Sequence, residues 1–191
     1  MTVGEEMKGY SILNHWFEQA RRALSPNANP RPEGCLPELL VIHNISLPPG
    51  QFGGGHVQQL FQNSLDPDAH PYFAEVAALE VSAHLLLERD GALTQFVGFD
   101  QRAWHAGVSC YQGREACNDF SIGIELEGCD DTPYTDVQYT QLALLVSSLL
   151  EYYPSLTKEQ IVGHSDIAPG RKTDPGPGFD WERLRGLLST A

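Results

Sequence analysis

Two histidines stand where the chain passes from an apolar run into a loop. His43 lies at the end of LLVIHNI, residues Leu39–Ile45, and His164 ends the short apolar segment Ile161–His164. Strand ends are rigid platforms, and the loops that follow them give access to solvent and ligand. Imidazole suits zinc, and catalytic zinc takes three protein ligands and keeps one position open. The third ligand should be a carboxylate or thiolate near one of the two histidines. Asp166 and Asp174 both qualify. Asp166 follows His164 by two residues. Asp174 comes after Pro169 and Gly170, which can turn the chain back toward the metal. Spacing alone leaves that choice open.

Glu125 and Glu127 lie two residues apart in FSIGIELE, so a strand would point both to one face. A buried carboxylate is costly unless it is paired or used. One of the two fits the role of general base for a metal-activated water. Glu127 reads more naturally as the strand end emerging into solvent. Lys172, beside Arg171 in the loop before Asp174, is placed to stabilise an oxyanion. The remaining histidines read as ordinary residues. His15 falls in a leading helix, His56 and His70 in a long polar connection, and His84 alternates within a strand and faces either core or site.

The elements that must carry these residues follow from pattern. Partial helical spacing of Ile12, Leu13, Trp16, Phe17 and Ala20 predicts a short helix over residues 11–24. SPNANPRPEG, Ser25–Gly34, is dense in turn formers and predicts a loop. Strands are expected at Leu39–Ile45, Val81–Leu87, Leu93–Val97 and Phe120–Leu126, the middle two forming a hairpin around Asp90-Gly91. Residues 51–79 form a long connection with a short helix near Val57–Gln62, and Gly53–Gly55 lends it flexibility suited to gating a cleft. Thr135 and Gln138 make a capping box for the longest helix, which runs to Tyr152 before Pro154. A Pro- and Gly-rich loop spans Asp166–Gly178, and a last helix starts near Trp181. The fold class is α/β, a central mixed sheet flanked by helices.

The chain has 191 residues, enough for one domain with a core of its own. It carries 12 basic against 25 acidic residues, a formal charge of −13, which argues against broad nucleic-acid or anionic-membrane binding. Cys35, Cys110, Cys117 and Cys129 form no C-x-x-C pair and read as reduced thiols. The N-terminus has no apolar stretch of signal-peptide length, and no run approaches a membrane span, so a cytoplasmic location is expected.

Five ordered segments, LLVIHNIS, VSAHLLLERDG, RAWHAGVS, NDFSIGIELEG and VGHSDIAPGRKTDPGPGFDW, resemble the zinc N-acetylmuramoyl-L-alanine amidases. That family shares its fold with T7-type lysozyme and the peptidoglycan-recognition proteins. ARRALSPNANPRPEG is similar to its branch of cytosolic 1,6-anhydro-N-acetylmuramyl-L-alanine amidases, which serve cell-wall recycling. The resemblance covers residues 17–182. It implies Zn2+ held by His43, His164 and Asp174, with Asp166 in a supporting role. It makes Glu125 the catalytic acid and Lys172 the catalytic lysine. It places Asn44, Trp104 and His105 along the substrate groove. The implied substrate is a small anionic muropeptide; a monomer is expected, though nothing in the sequence sets the oligomeric state. Two positions depart from the family pattern: Glu80 and Ala116 stand where relatives carry arginine. Arg114 or Arg102 is expected to compensate, and Arg114 is counted among the substrate-binding residues. A non-catalytic binding module of the same fold is the rival reading, as is an amidase acting on the polymeric wall.

Overall fold

In the computed structural model, which describes residues 9–190, alternation along the strand Ser121–Glu127 divides the molecule into two sides. Ile122, Ile124 and Leu126 pack into the largest apolar core, with Leu40 and Ile42 of the neighbouring strand Leu39–Ile45. The intervening residues Ser121, Gly123, Glu125 and Glu127 point to the other side, as the period of two requires. So does His43, next in alternation after Leu39 and Val41 of a separate core cluster. One face of the sheet is therefore filled by the largest core, and the other carries smaller apolar clusters together with the polar residues of the site.

The sheet has six strands, in the order Ile161–Gly163, Leu39–Ile45, Ser121–Glu127, Leu85–Leu87, Leu93–Gln95 and Arg21–Arg22. The first four run parallel, and Leu85–Leu87 meets Leu93–Gln95 as the expected antiparallel hairpin. The mixed sheet with flanking helices agrees with the sequence pattern. The covered face lies under the helix Asp136–Tyr152, whose buried Gln138, Tyr139, Leu142, Leu145, Val146 and Leu149 recur at helical spacing. Its capping box is formed: Thr135 Oγ1 accepts from the Gln138 amide at 3.1 Å, and Gln138 Oε1 accepts from the Thr135 amide at 3.1 Å. Gln138 Nε2 also donates to the carbonyls of Leu87 and Glu127, tying the helix start to two strand ends. The helix Trp181–Thr190 adds Leu184 and Leu188 to the same core. No helix among the described residues is long and apolar enough to cross a membrane. All four cysteines are free thiols.

Three expectations need correction. Residues 11–24 are not helical. Ile12–Leu13 pairs antiparallel with Trp16–Phe17 across Asn14 and His15, both at positive φ, and Arg21–Arg22 then joins the main sheet. A two-residue hairpin turn with both central residues at positive φ is a favoured link, and Asn tolerates it well. The apolar pairs flanking Asn14-His15 were the overlooked signal. The predicted loop Ser25–Gly34 contains a short strand, Ala28–Pro30, paired with Gln101–Ala103. Glu127 is not a solvated strand end: it is buried, accepting from the backbone amides of Gly53 and Arg89. Gly53, Gly54 and Gly55 all hold positive φ, so glycine there serves a fixed left-handed path into the short helix His56–Phe61.

His84 resolves to the core. Its Nδ1 accepts from the Gly123 amide at 3.0 Å, so Nε2 carries the proton and donates to the Gln101 carbonyl at 3.0 Å. Burial, then the nearby Arg31 guanidinium, push its pKa from 6.5 down to about 3. The ring is neutral when folded and protonates near 6.5 when unfolded. Its contribution to stability is thus complete above pH 6.5 and declines as pH falls toward 3. One such group changes stability by about 1.4 kcal/mol per pH unit within that window. For metal-free protein, Tm measured from pH 7.5 down to about 4.5 should fall, and His84→Asn should flatten that fall. Equal slopes in the two chains would refute this account of His84.

Candidate metal centre and cleft

The parallel register sets Glu125 directly beside His43, and Gly163 beside Ile42. In a parallel pair, side chains at matched positions share a face. His164, the first residue beyond its strand and the start of the short helix His164–Ile167, is thereby delivered next to His43. The loop after it returns to the same point: the Ser165 amide donates to the Asp174 carbonyl at 3.0 Å. Open parallel sheets bind their ligands beyond the carboxyl ends of the strands, and this group lies there.

His43 Nδ1 and His164 Nδ1 are 3.0 Å apart, and Asp174 Oδ2 lies 3.1 Å and 3.0 Å from them. Three ligand atoms around tetrahedral zinc at 2.0–2.1 Å are spaced by about 3.3 Å, so this triangle is of the right size. The donor chemistry fits as well. His164 Nε2 lies 3.1 Å from the Ala106 carbonyl, an acceptor that fixes the proton on Nε2 and leaves Nδ1 a free lone pair. Burial lowers the His43 pKa to about 4, so its ring is neutral at pH 7, as a ligand must be. Burial opposes ionisation of Asp174, yet its close contacts with His164 and His43 hold its carboxyl below the usual carboxylate range. Among the described residues this is the group able to hold a metal ion.

Asp166 is not part of the triangle. Its Oδ2 accepts from the Gly163 amide at 2.7 Å, fixing the strand-to-helix turn that presents His164. The sequence alone could not separate Asp166 from Asp174, because both follow His164 in one loop.

Glu125 sits in the wall beside the triangle. It is 8% exposed, and Oε2 is buried without a hydrogen-bond partner. A buried polar atom left unpaired is costly and needs an explanation. Burial pushes the Glu125 carboxyl well above its ordinary range, and the negative charge of Asp174 adds to the push, while Lys172 offsets part of it. Lys172 is exposed on the cleft rim.

A cleft of about 720 Å³ opens over these residues. Asn44 lines it, its amide donating to Asp130 Oδ1 at 2.8 Å and to the Pro175 carbonyl at 3.1 Å. Trp104 lines it too, its indole N–H held by Asn29 Oδ1 at 2.8 Å. Leu60, Phe61, Tyr72 and Val76, from the long connection, make the apolar wall. His105 lines the cleft as well, with its ring against His43: its Nδ1 is 2.9 Å from His43 Nε2. Arg114 is not brought to the cleft. It pairs with Glu38 at 3.0 Å and lies over the Phe120 ring at 3.8 Å, on another surface. Arg102 pairs with Asp119 and likewise stays outside. Lys172 is the one Lys or Arg among the described lining residues, facing Glu125, Asp130, Asp131 and Asp174. Sequence reading missed Asp130 and Asp131, which follow the Glu125 strand on an irregular segment with no periodic signal. It also missed Arg31, whose guanidinium donates to the carbonyls of Phe99, Asp119 and Ser121 beneath the site.

The profile of the N-acetylmuramoyl-L-alanine amidase family matches residues 32–177. The 1,6-anhydro-N-acetylmuramyl-L-alanine amidase AmpD of Enterobacter cloacae is 59% identical over 180 residues, covering 94% of this chain and 96% of the relative. The crystal structure of a selenomethionine AmpD derivative superposes with a TM-score of 0.91 at 57% identity, covering 93% of this chain and 99% of that one. A Pseudomonas aeruginosa relative solved in complex with an anhydromuramic pentapeptide gives a TM-score of 0.60 at 30% identity, over 82% of this chain and 61% of its own length. By sequence along most of its length and by fold, the chain belongs to the N-acetylmuramoyl-L-alanine amidase family.

Proposed function

We propose that the chain is a zinc-dependent amidase that hydrolyses the lactyl–L-alanine bond of soluble 1,6-anhydro-N-acetylmuramyl peptides during cytoplasmic cell-wall recycling. One observation carries the metal-dependent reading: two imidazole nitrogens and a carboxylate oxygen converge within 3.1 Å of one another beside a buried, unpartnered Glu125 Oε2. The substrate class rests on the likeness to relatives named for, or solved with, anhydromuramyl compounds.

Zinc held by His43, His164 and Asp174 would supply Lewis acidity, polarising the scissile carbonyl and lowering the pKa of the attacking water toward ~7. Glu125 accepts the proton that water gives up as its oxygen bonds to the carbonyl carbon. When the C–N bond breaks, the same carboxyl returns the proton to the alanine nitrogen. A raised pKa suits both steps, because a carboxyl that holds its proton more firmly is a better base going in and still an acid coming out. The Lys172 ammonium faces the negative charge that grows on the carbonyl oxygen. Asn44 and Trp104, each tethered to a neighbouring wall, offer a rigid groove to the sugar and peptide.

Glu125→Gln should lower kcat by about 10²–10⁴-fold while one zinc per chain stays bound. Near-normal turnover would remove Glu125 from proton transfer. Asp174→Ala should lose zinc in metal analysis, whereas Asp166→Ala should keep it and lose thermal stability instead; the reverse result would reassign the third ligand. Soluble anhydromuropeptide should be cleaved faster than intact sacculi. Preference for sacculi would favour the polymeric wall as substrate and overturn the recycling role.

A further inference from the structure

Gly123 occupies the middle of a seven-residue buried strand, where glycine has no side chain to pack and weakens the sheet. The reason is close approach. A Cβ at that position would lie 2.4 Å from His105 Cγ and 2.6 Å from its Nδ1 and Cδ2. The His105 ring thus fills the notch between Ser121 and Glu125 on the site face of the strand.

Both ring nitrogens are committed there. Nδ1 is 2.9 Å from His43 Nε2, and Nε2 is 3.1 Å from Ser121 Oγ. The His105 backbone is fixed as well: its amide and that of Ala106 donate to Asn118 Oδ1 at 3.1 Å and 2.8 Å. The two imidazoles of His43 and His105 stand edge to face, with centroids 4.9 Å apart. A chain of single protons along these atoms suits a metal site. Nε2–H of His105 donates to Ser121 Oγ, its Nδ1 accepts from Nε2–H of His43, and Nδ1 of His43 is left bare toward His164 and Asp174. The reversed chain, Ser121 O–H to His105 Nε2 and His105 Nδ1–H to His43 Nε2, would put a proton on His43 Nδ1, where the triangle needs a lone pair.

We propose that His105 is a positioning residue for the metal centre, acting through His43: it fixes the tautomer and ring angle of that ligand, and Gly123 and Ser121 exist to seat it. This inference rests on the zinc reading above. Metal-ligating histidines usually donate their second N–H to a carboxylate, carbonyl or water, and here another imidazole takes that place. His164 has the ordinary arrangement, with the Ala106 carbonyl as its partner. The residue next to His105 in the chain thus supplies the second support, so one short segment braces both histidines.

His105→Asn and His105→Leu separate this role from packing, because the two side chains have nearly the same shape and only Asn Oδ1 can accept from His43. Zinc alone is titrated against a chelator in each variant and in the wild-type protein. The d–d spectrum of the cobalt-loaded proteins is recorded in parallel. His105→Leu should bind zinc about 10–100-fold more weakly and shift the cobalt bands, whereas His105→Asn should stay within about threefold of wild type. Equal affinities and spectra for Leu, Asn and wild type would overturn the inference while leaving the zinc reading intact. A wild-type chain that binds no zinc would overturn both. Should His105→Leu fail to fold, Ser121→Ala carries the test from the far end of the chain of bonds: weaker zinc binding supports the role, and unchanged binding and cobalt spectrum overturn it.

Discussion

The register between Leu39–Ile45 and Ser121–Glu127 is the constraint on which the rest depends. Seven matched pairs set His43 and Glu125 at one level and on one face. A slip by a single residue would carry every side chain of one strand to the opposite face. Glu125 would then enter the apolar core and Ile124 would face the cleft. The alternation that fills the core is therefore the same alternation that aims the chemistry. Stability and site geometry cannot be varied independently in these two strands.

Around that fixed pair, each remaining group arrives by a tether of its own. His164 comes by the end of a third parallel strand, with Asp166 holding the turn. Asp174 comes by a loop pinned at Ser165. The groups of the centre are each braced from behind: His43 by His105, His164 by the Ala106 carbonyl and the Asp174 backbone by the Ser165 amide. The electrostatic setting is uneven: the cleft holds four carboxyl groups and one ammonium among its described lining residues. The anionic substrate proposed above would find its one cationic partner in Lys172 among those residues, beside the apolar wall.

What was legible in the sequence follows from how local each signal is. Leu39–Ile45 announced itself as a continuous apolar run, and Thr135 with Gln138 as a cap, because the cause of each lies within a few residues. Ile12, Leu13, Trp16 and Phe17 satisfy a helical spacing as well as an Asn-centred turn, and bonds to distant residues, such as Gln95 on the Phe17 amide and Tyr153 on the His15 ring, decide between them. Asp174 could be preferred over Asp166 by resemblance but not by spacing. Resemblance places His105 on the cleft, where it lies, but gives no sign of what its ring holds. Its true partners, Ser121 and Gly123, lie on a strand that begins 16 residues later, and no periodicity links them. Arg114 was offered as a substitute for a missing arginine on charge alone, and charge does not say which way a hairpin faces.

The N-terminal hairpin has a consequence for the order in which the molecule is completed. Phe17 is fully buried, and its amide is held by Gln95, 78 residues later. The Tyr10 amide donates to Ser148, 138 residues later. On a ribosome adding ~5–20 residues per second, the opening segment waits on the order of ten seconds for its partners to appear. Until then the segment lacks the partners that hold it in the finished fold. The hairpin can therefore be seated only after Gln95 and Ser148 have followed it.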